Sequence, residues 1–281
     1  MAVIIDGKQV AENLTNELAN EVKKFDIKPH LVVIQVGNNT ASSIYVNLKQ
    51  KKAEQIGIKS SAIHYPENVS ENEIIEKLKD LNEDSSVNAI LVQLPLPKHI
   101  DTNKIINVIS PEKDVDGFTA ENTGNLLNGI TPKAYPCTPK GIMKLLDAYK
   151  IDVSGKHAVI VGRSNIVGKP VSLMLLNKSA TVTICHSKTE NLTDITRTAD
   201  ILISAVGKKI IFADMVKHGA VVIDVGIFKD ENNKTTGDVD FENVKEVASF
   251  ISPVPKGVGP MTIACLMENT VELFKLQNNL Q

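Results

Sequence analysis

The chain is poor in several residue types, and each shortage argues against a class of protein. Its 281 residues include no tryptophan, four tyrosines and seven phenylalanines, too few for an aromatic platform that stacks nucleic-acid bases. A net charge of −2 gives no basic surface for nucleic acid or anionic membranes. No apolar run reaches the ~18 residues of a membrane span, and the N-terminal MAVIIDGK is too polar for a signal peptide. We therefore expect no nucleic-acid partner and no membrane association.

Cysteine and arginine are also scarce. The three cysteines, Cys137, Cys185 and Cys265, are odd in number and share no ligand spacing, so we expect a reduced, cytoplasmic compartment and no metal site. Among 31 basic residues only Arg163 and Arg197 are arginine. Arg197 falls in a polar helical stretch and is expected on a solvated face. The position of Arg163 is more informative.

Length and periodicity predict two α/β domains with parallel sheets. Short β-branched runs alternate with helical stretches, and Thr138-Pro139 has the pattern of an N-cap followed by the first helical residue. The first series ends near residue 100, and the second begins after that predicted helix. The predicted strands are 30–37, 60–65 and 88–97 in the first series, and 157–162, 181–185, 199–207, 220–226 and 248–254 in the second.

A glycine-containing turn opens the second series. HAVIVG-RSNIVGKP is typical of a buried strand, a tight turn and a helix whose first amides can bind an anion. Gly162 and Gly168 are six apart with no middle glycine, which departs from G-x-G-x-x-G, so an ordinary strand–helix turn is an alternative. Arg163 lies in the turn, and the next strand ends in 185–188 (CHSK) without an acid. A carboxylate there would favour NAD, so the sequence favours NADP. His186 could contact phosphate or be an ordinary strand-end histidine.

A second group of polar residues lies in the first series. Tyr45 and Lys49 are four apart and share a helix face. Such a pair is typical of short-chain dehydrogenases, but there it follows the dinucleotide turn, whereas here it precedes it by more than 100 residues. The alternative is a half-buried tyrosine beside a solvated lysine. Gln93 interrupts an apolar strand near its carboxyl end, where parallel sheets bind ligands, and a lysine could satisfy its amide. Asp114 and Asp116 could bind N–H groups of a heterocycle.

Together these motifs resemble the bifunctional methylenetetrahydrofolate dehydrogenase/cyclohydrolase family over nearly the whole chain. The motifs, in order, are Tyr45-x-x-x-Lys49, V-x-x-ILVQLPLP (87–97), PEKDVDGF (111–118), PCTPKG (136–141), VGRSNIVGKP (161–170), CHSKT (185–189) and PVPKGVGPMT (253–262). The resemblance implies NADP-dependent oxidation of 5,10-methylenetetrahydrofolate to the methenyl cation, then hydrolysis to 10-formyltetrahydrofolate, in one-carbon metabolism and purine biosynthesis. It also implies a homodimer.

The resemblance further implies a division of the chain into two α/β domains flanking a cleft. Residues 1–137 with the helix 261–281 are expected to form the folate-binding catalytic domain, and 138–260 a Rossmann-like NADP-binding domain. The implied catalytic residues are Lys49, Tyr45, Gln93 and Asp116. The last three also contact substrate, together with Pro255 and Gly259. The implied cofactor-binding residues are Thr138, Gly162, Arg163, Ser164, Gly168, His186, Ser187 and Ile227.

The sequence departs from the family pattern at two positions. Lys256 stands where the family has the first of two glycines, and its Cβ and charge could alter the loop. Asn88 replaces a common glycine and is expected to affect only a turn. Two alternative functions remain: a dehydrogenase with little or no cyclohydrolase activity, and a nucleotide-binding regulatory module without chemistry. The group Tyr45, Lys49, Gln93 and Asp116 argues against the second, because cofactor binding alone does not require it.

Overall fold

The computed structural model describes residues 1–280, leaving aside the side chains of residues 40 and 41. The helices are α1 (Gly7–Val22), α2 (Thr40–Ile56), α3 (Glu71–Glu83), α4 (Thr102–Ile106), α5 (Ala120–Leu127), α6 (Cys137–Ala148), α7 (Gly168–Asn177), α8 (Leu192–Thr196), α9 (Phe241–Val244) and α10 (Val258–Gln277), with a short 3₁₀ helix at Ala213–Met215. The strands are β1 (Val3–Ile4), β2 (His30–Val36), β3 (Lys59–Tyr65), β4 (Ala89–Val92), β5 (His157–Val161), β6 (Thr181–Cys185), β7 (Ile201–Ser204), β8 (Val221–Asp224), β9 (Phe228–Lys229), β10 (Thr235–Thr236) and β11 (Phe250–Ile251).

The chain forms two compact α/β units, and neither is continuous in sequence. One contains Met1–Glu12 and Cys137–Thr262; the other contains Asn13–Pro136 and the chain from Ile263 onward. The first twelve residues therefore belong to the unit of residues 137–262, whereas the sequence grouped them with the rest of 1–137. The reason is β1, which pairs in parallel with β11 and so adds an edge to the sheet of residues 137–262.

The unit of residues 13–136 is built on a three-stranded parallel sheet in the order β3-β2-β4. All seven residues of β2 are buried, as expected for a central parallel strand covered on both faces. Strand β4 ends at Val92, earlier than the predicted 88–97. Gln93 N still donates to the Ile34 carbonyl at 2.8 Å, and the prolines at 95 and 97 cannot donate to a ladder. The core includes Ile34, Ile74, Leu78, Ile90 and Ile105.

The unit of residues 137–262 contains a six-stranded sheet in the order β1-β11-β8-β7-β5-β6, parallel throughout. The α/β class with parallel sheets is therefore confirmed. The carboxyl ends of β5, β6, β7 and β8 share one edge, where ligands bind in open parallel sheets.

Helix α6 begins at Cys137, so the prediction of Thr138 as an N-cap was wrong. The Thr138 hydroxyl instead bonds the Thr262 hydroxyl at 2.9 Å.

Helix α10 begins at Val258, three residues before the predicted 261, and its second half is bound to the unit of residues 13–136. Asn269 Nδ2 donates to the Val115 and Tyr135 carbonyls, both at 2.8 Å. Gln277 Nε2 donates to the Asn88 carbonyl at 2.8 Å, and Asn88 Nδ2 donates to Gln277 Oε1 at 3.0 Å. Asn88 is buried, and the expectation that it matters only to a turn was wrong: its amide ties α10 to the sheet.

Within residues 1–280, no helix combines the length and apolar character that crossing a bilayer requires.

Candidate functional site

Lys49 and Gln93, which are 44 residues apart in sequence, form a direct hydrogen bond. Lys49 lies one helical turn after Tyr45 on α2, and its Nζ donates to Gln93 Oε1 at 2.9 Å. Gln93 directly follows β4, and its Nε2 donates to the Leu94 carbonyl at 2.7 Å. Because that bond uses the amide nitrogen, the amide oxygen faces the lysine. The arrangement holds a primary amine by a neutral acceptor at the carboxyl end of a parallel strand, beside the 38% exposed Tyr45.

The two aspartates of KDVDGF have different surroundings. Asp114 is buried, forms a parallel bridge with Ile90 and accepts hydrogen bonds from Thr119 N at 2.7 Å and Asn122 Nδ2 at 2.9 Å. It therefore orders the loop. Asp116 is only partly buried and lines a small cavity with Val92. Since the segment runs parallel to β4, Asp116 lies near the strand end that carries Gln93.

The turn between β5 and α7 leaves no room for side chains at its two glycines. Gly162 has φ +124°, and a Cβ on it would come within 2.5 Å of the Ala205 carbonyl oxygen. A Cβ on Gly168 would come within 2.1 Å of the Gly162 carbonyl oxygen. The Ser164 hydroxyl accepts from Val167 N at 3.1 Å and Gly168 N at 3.3 Å, so this side chain shapes the turn. The two glycines therefore let β5, the turn and α7 pack closely, which places the amino end of α7 at the carboxyl edge of the sheet, where a helix dipole favours an anion.

Arg163 and the end of β6 lie at the same edge of the sheet. Val161 pairs with Cys185, and Gly162 N donates to the Cys185 carbonyl at 2.9 Å. The loops after β5 and β6 therefore begin at the same position along the sheet edge. Arg163 and Ser187 are both exposed in those loops. His186 Nδ1 accepts from Lys188 N at 3.1 Å, so Nε2 is the ring nitrogen that a ligand could use. This edge offers a guanidinium and a hydroxyl to an anion.

The loop of residues 253–259 contains a strained backbone position. Lys256 has φ +82°, in the left-handed region that glycine adopts at least cost, so the departure from the family pattern falls at a position that favours glycine. The loop is fixed by the start of α1: Lys8 N donates to the Lys256 carbonyl at 3.0 Å, and a Cβ on Gly7 would come within 1.9 Å of the Gly257 oxygen. Pro255 and Gly259 are exposed.

Two exposed apolar side chains and a buried pair of acids complete the carboxyl edge of the larger sheet. Ile227 and Val206 are 52% and 38% exposed. Sequence reasoning missed Val206 and also the buried Asp224 and Asp238 behind these loops. The available signal was a glycine near each acid, in Asp224-Val-Gly226 and Gly237-Asp238.

In the described part of the chain, no group of three or more histidine, cysteine or acidic side chains is placed to hold a metal.

Burial raises the pKa of Asp224 to about 7, against hydrogen bonds from Val239 N and Asp238 N that lower it; the Asp238 charge adds to the increase. A carboxyl whose pKa rises on folding stabilises the fold fully below its unfolded pKa near 4, and this contribution is lost as pH rises to 7. We therefore expect the difference in unfolding free energy between the native chain and Asp224→Asn to fall between pH 5 and pH 8. Urea unfolding at four pH values measures it.

Asp200→Asn is the matched control for that experiment. The Asp200 carboxylate bonds the Lys217 ammonium and the His157 amide, which lower its pKa. Its contribution is therefore constant from pH 5 to pH 8 and decreases only at lower pH. An Asp224→Asn difference that is equally constant from pH 5 to pH 8 would contradict the assignment.

The fold and these residues define an α/β enzyme with a separate dinucleotide-binding domain. Residues 5–116 match the catalytic domain of the tetrahydrofolate dehydrogenase/cyclohydrolase family, and residues 136–278 match its NAD(P)-binding domain. The chain belongs to this family.

Relatives match along the full length. The bifunctional protein FolD of Agathobacter rectalis is 55% identical over 98% of this chain and 100% of its own. The crystal structure of the bifunctional FolD methylenetetrahydrofolate dehydrogenase/cyclohydrolase of Campylobacter jejuni has a TM-score of 0.97 at 49% identity and covers 100% of both chains. The Trypanosoma brucei enzyme, solved with NADP and an inhibitor, has a TM-score of 0.93 at 38% identity over 98% of each chain.

Proposed function

We propose that this chain oxidises 5,10-methylenetetrahydrofolate to 5,10-methenyltetrahydrofolate with NADP and hydrolyses the product to 10-formyltetrahydrofolate. The observation that carries the proposal is the Lys49–Gln93 hydrogen bond beside Tyr45. A dinucleotide-binding turn alone supports many activities, whereas an amine held by a neutral amide at a strand end suits proton transfer to a folate nitrogen. Full-length similarity to bifunctional FolD proteins supports both activities.

The turn at Gly162 and Gly168 fits NADP. The amino end of α7 lies at the carboxyl edge of the sheet, where its dipole can favour the pyrophosphate, and Arg163 with Ser187 can bind a 2′-phosphate by charge-assisted hydrogen bonds. The segment 185–189 has no carboxylate that would repel that phosphate. When bound, NADP supplies the hydride acceptor.

The oxidation requires positioning more than acid–base catalysis. The hydride leaves a carbon between two nitrogens, and their lone pairs stabilise the resulting cation, so no strong base is needed. Tyr45 can stack on the folate, and Asp116 can accept from N–H groups of the pterin ring. These contacts orient the reacting carbon, and orientation is the main contribution a protein makes to such a step.

Hydrolysis does require proton transfer. Water adds to the methenyl carbon, the bond from that carbon to N5 breaks, and a proton is delivered to N5, which leaves the formyl group on N10. Lys49 is the group placed to take a proton from the water and return one to nitrogen. Gln93 holds the Lys49 amine through a neutral amide oxygen rather than through a carboxylate.

One assay distinguishes this function from its alternatives. NADPH absorbance is followed with and without methylenetetrahydrofolate, and methenyltetrahydrofolate decay is followed separately without cofactor. NADPH formation together with accelerated decay supports the bifunctional enzyme. NADPH formation without accelerated decay identifies a dehydrogenase, and neither activity identifies a binding module.

We predict that Gly259→Ala weakens folate binding without lowering stability. A Cβ on Gly259 meets no atom within 4 Å, and alanine favours the first turn of α10. If the loop of residues 253–259 contacts substrate, the added methyl group raises the KM for methylenetetrahydrofolate about tenfold while Tm stays equal or rises. Gly124→Ala is the control, since Gly124 lies in α5 with the same open surroundings. Equal KM values for both variants and the native chain would remove Gly259 from the substrate site.

A homodimer is proposed from the family resemblance. Light scattering on the purified chain tests it: a dimer has twice the chain mass of 30.6 kDa, and a mass that stays at the single-chain value would contradict it.

A cytoplasmic location is proposed because the chain carries three buried thiols, which are typical of a reducing compartment. Fractionation of cells that produce the native chain tests this location.

A further inference from the structure

Two buried carboxylates lie behind the carboxyl edge of the larger sheet. Asp224 is the last residue of β8, and Asp238 follows β10; they are 3% and 0% exposed. Asp224 Oδ1 accepts from Gly226 N at 3.0 Å and Asp238 N at 2.9 Å, and its Oδ2 accepts from Val239 N at 3.0 Å. One carboxylate therefore fixes both the loop after β8 and the segment that carries the second acid.

Asp238 fixes the loop after β7. Its Oδ2 accepts from the Ser204 hydroxyl at 2.9 Å and Val206 N at 2.7 Å, and its Oδ1 accepts from Lys208 N at 2.9 Å. The loop amides at Val206 and Lys208 lie beyond the end of β7, where the strand ladder no longer pairs them. The carboxylate supplies the acceptors that the ladder does not.

The pair is interlocked by glycines. A Cβ on Gly226 would come within 1.9 Å of Asp238 Oδ1, and a Cβ on Gly237 within 2.1 Å of Asp224 Oδ2. Each acid therefore fills the space that a side chain would need at the glycine next to the other acid. Burying two like-charged groups is costly, and apolar residues would fill the same volume with less penalty. Acids at these positions therefore indicate a requirement for the six hydrogen bonds they accept.

The loops fixed in this way form part of the ligand-binding edge. β7 lies between β8 and β5, and Ala205 is the residue whose carbonyl closes the space at Gly162. Val206 and Ile227, one in each loop, expose apolar side chains there. A loop that presents an apolar side chain to solvent has little packing of its own to order it. The buried acids provide that order.

We propose that Asp224 and Asp238 are positioning residues for the dinucleotide: by fixing the loops after β7 and β8, they hold Val206 and Ile227 in place against the bound cofactor. The inference rests on the proposed function, which supplies the dinucleotide. It predicts that loosening either carboxylate weakens cofactor binding more than it slows chemistry at saturating cofactor.

Asp238→Asn and Ser204→Ala test the proposal. The amide replaces one acceptor of Asp238 by a donor that faces backbone N–H, whereas Ser204→Ala removes a single hydroxyl and keeps the carboxylate. We expect the KM for NADP and the Kd for NADPH, measured by nucleotide fluorescence, to rise about tenfold or more in Asp238→Asn and about threefold in Ser204→Ala. The kcat at saturating NADP and the cofactor-free cyclohydrolase rate should stay within about twofold of the native values.

Asp200→Asn is the control, because it makes the same chemical change at the amino end of β7. Asp200 accepts from His157 N at 2.9 Å and Lys217 Nζ at 2.6 Å, so its loss should lower Tm and leave the KM for NADP unchanged. The proposal is overturned if Asp238→Asn keeps the native KM, or if Asp200→Asn raises KM equally. If Asp238→Asn does not fold, the KM of Ser204→Ala decides. A native chain that neither binds NADPH nor oxidises methylenetetrahydrofolate refutes the proposed function, whereas an active native chain with unaffected variants refutes only this inference.

Discussion

Lys49→Met is expected to slow methenyltetrahydrofolate hydrolysis by about 10²–10⁴-fold, the range that a positioned general acid or base contributes. The dehydrogenase activity should fall much less, because hydride transfer from a carbon between two nitrogens needs no proton transfer. Methionine keeps the length and apolar stem of the side chain and removes the amine that donates to Gln93. Both rates are measured on the same preparation, hydrolysis without NADP and oxidation with it.

The comparison requires a lysine on the same helix that is outside the site. Lys51 is exposed on α2, two residues further along, and Lys51→Met removes an equal charge from that helix. Its two rates should match those of the native chain. Hydrolysis at the native rate in Lys49→Met would refute the assignment, and equal loss of both activities would indicate a binding role instead.

Arg163→Ala is expected to weaken NADP binding by about 10–100-fold, as loss of hydrogen bonds to a charged group costs about 1.5–3 kcal/mol. NAD lacks the 2′-phosphate, so its binding should change by less than about threefold. The measured quantity is the ratio of kcat/KM for the two cofactors. The expected result is a loss of preference for NADP with little change in the rate with NAD.

The second arginine of the chain is the control. Arg197 lies near Asp194 and Asp214, with side-chain oxygens 3.9 Å away in each case, and its Nε donates to the Asp214 carbonyl. Arg197→Ala therefore removes the same charge from the same unit without touching the β5–α7 turn. Equal losses with NADP and NAD in Arg163→Ala would show that Arg163 does not select between them.

The sequence predicted the elements whose signals are local. Strands β2 and β5 are runs of apolar residues followed by glycine or a turn, and both form near their predicted limits. Strand β1 was missed because it has only two residues and forms by pairing with β11, nearly 250 residues away. Nothing in the first twelve residues encodes that partner. The N-cap predicted at Thr138 failed for a related reason, since its hydroxyl is used by the distant Thr262.

The same distinction applies to the candidate site. Gln93 could be singled out because a polar residue in an apolar strand needs a partner, and the structure supplies Lys49. Asp224 and Asp238 have only a weak signal, a glycine near each acid, which does not reveal burial, because most acids in a chain of this size are exposed. Their partners are mainly backbone amides, which every residue except proline possesses.

The interleaved order of the two units has a consequence for synthesis on the ribosome. The unit that carries Lys49 and Gln93 is closed by Asn269 and Gln277, which bond carbonyls 134 to 189 residues earlier in the chain. Those bonds cannot form until the last helix has left the exit tunnel, by which time every residue of the nucleotide-binding unit has been synthesised. The unit that contains Lys49 and Gln93 is therefore completed only after the nucleotide-binding unit has been synthesised in full.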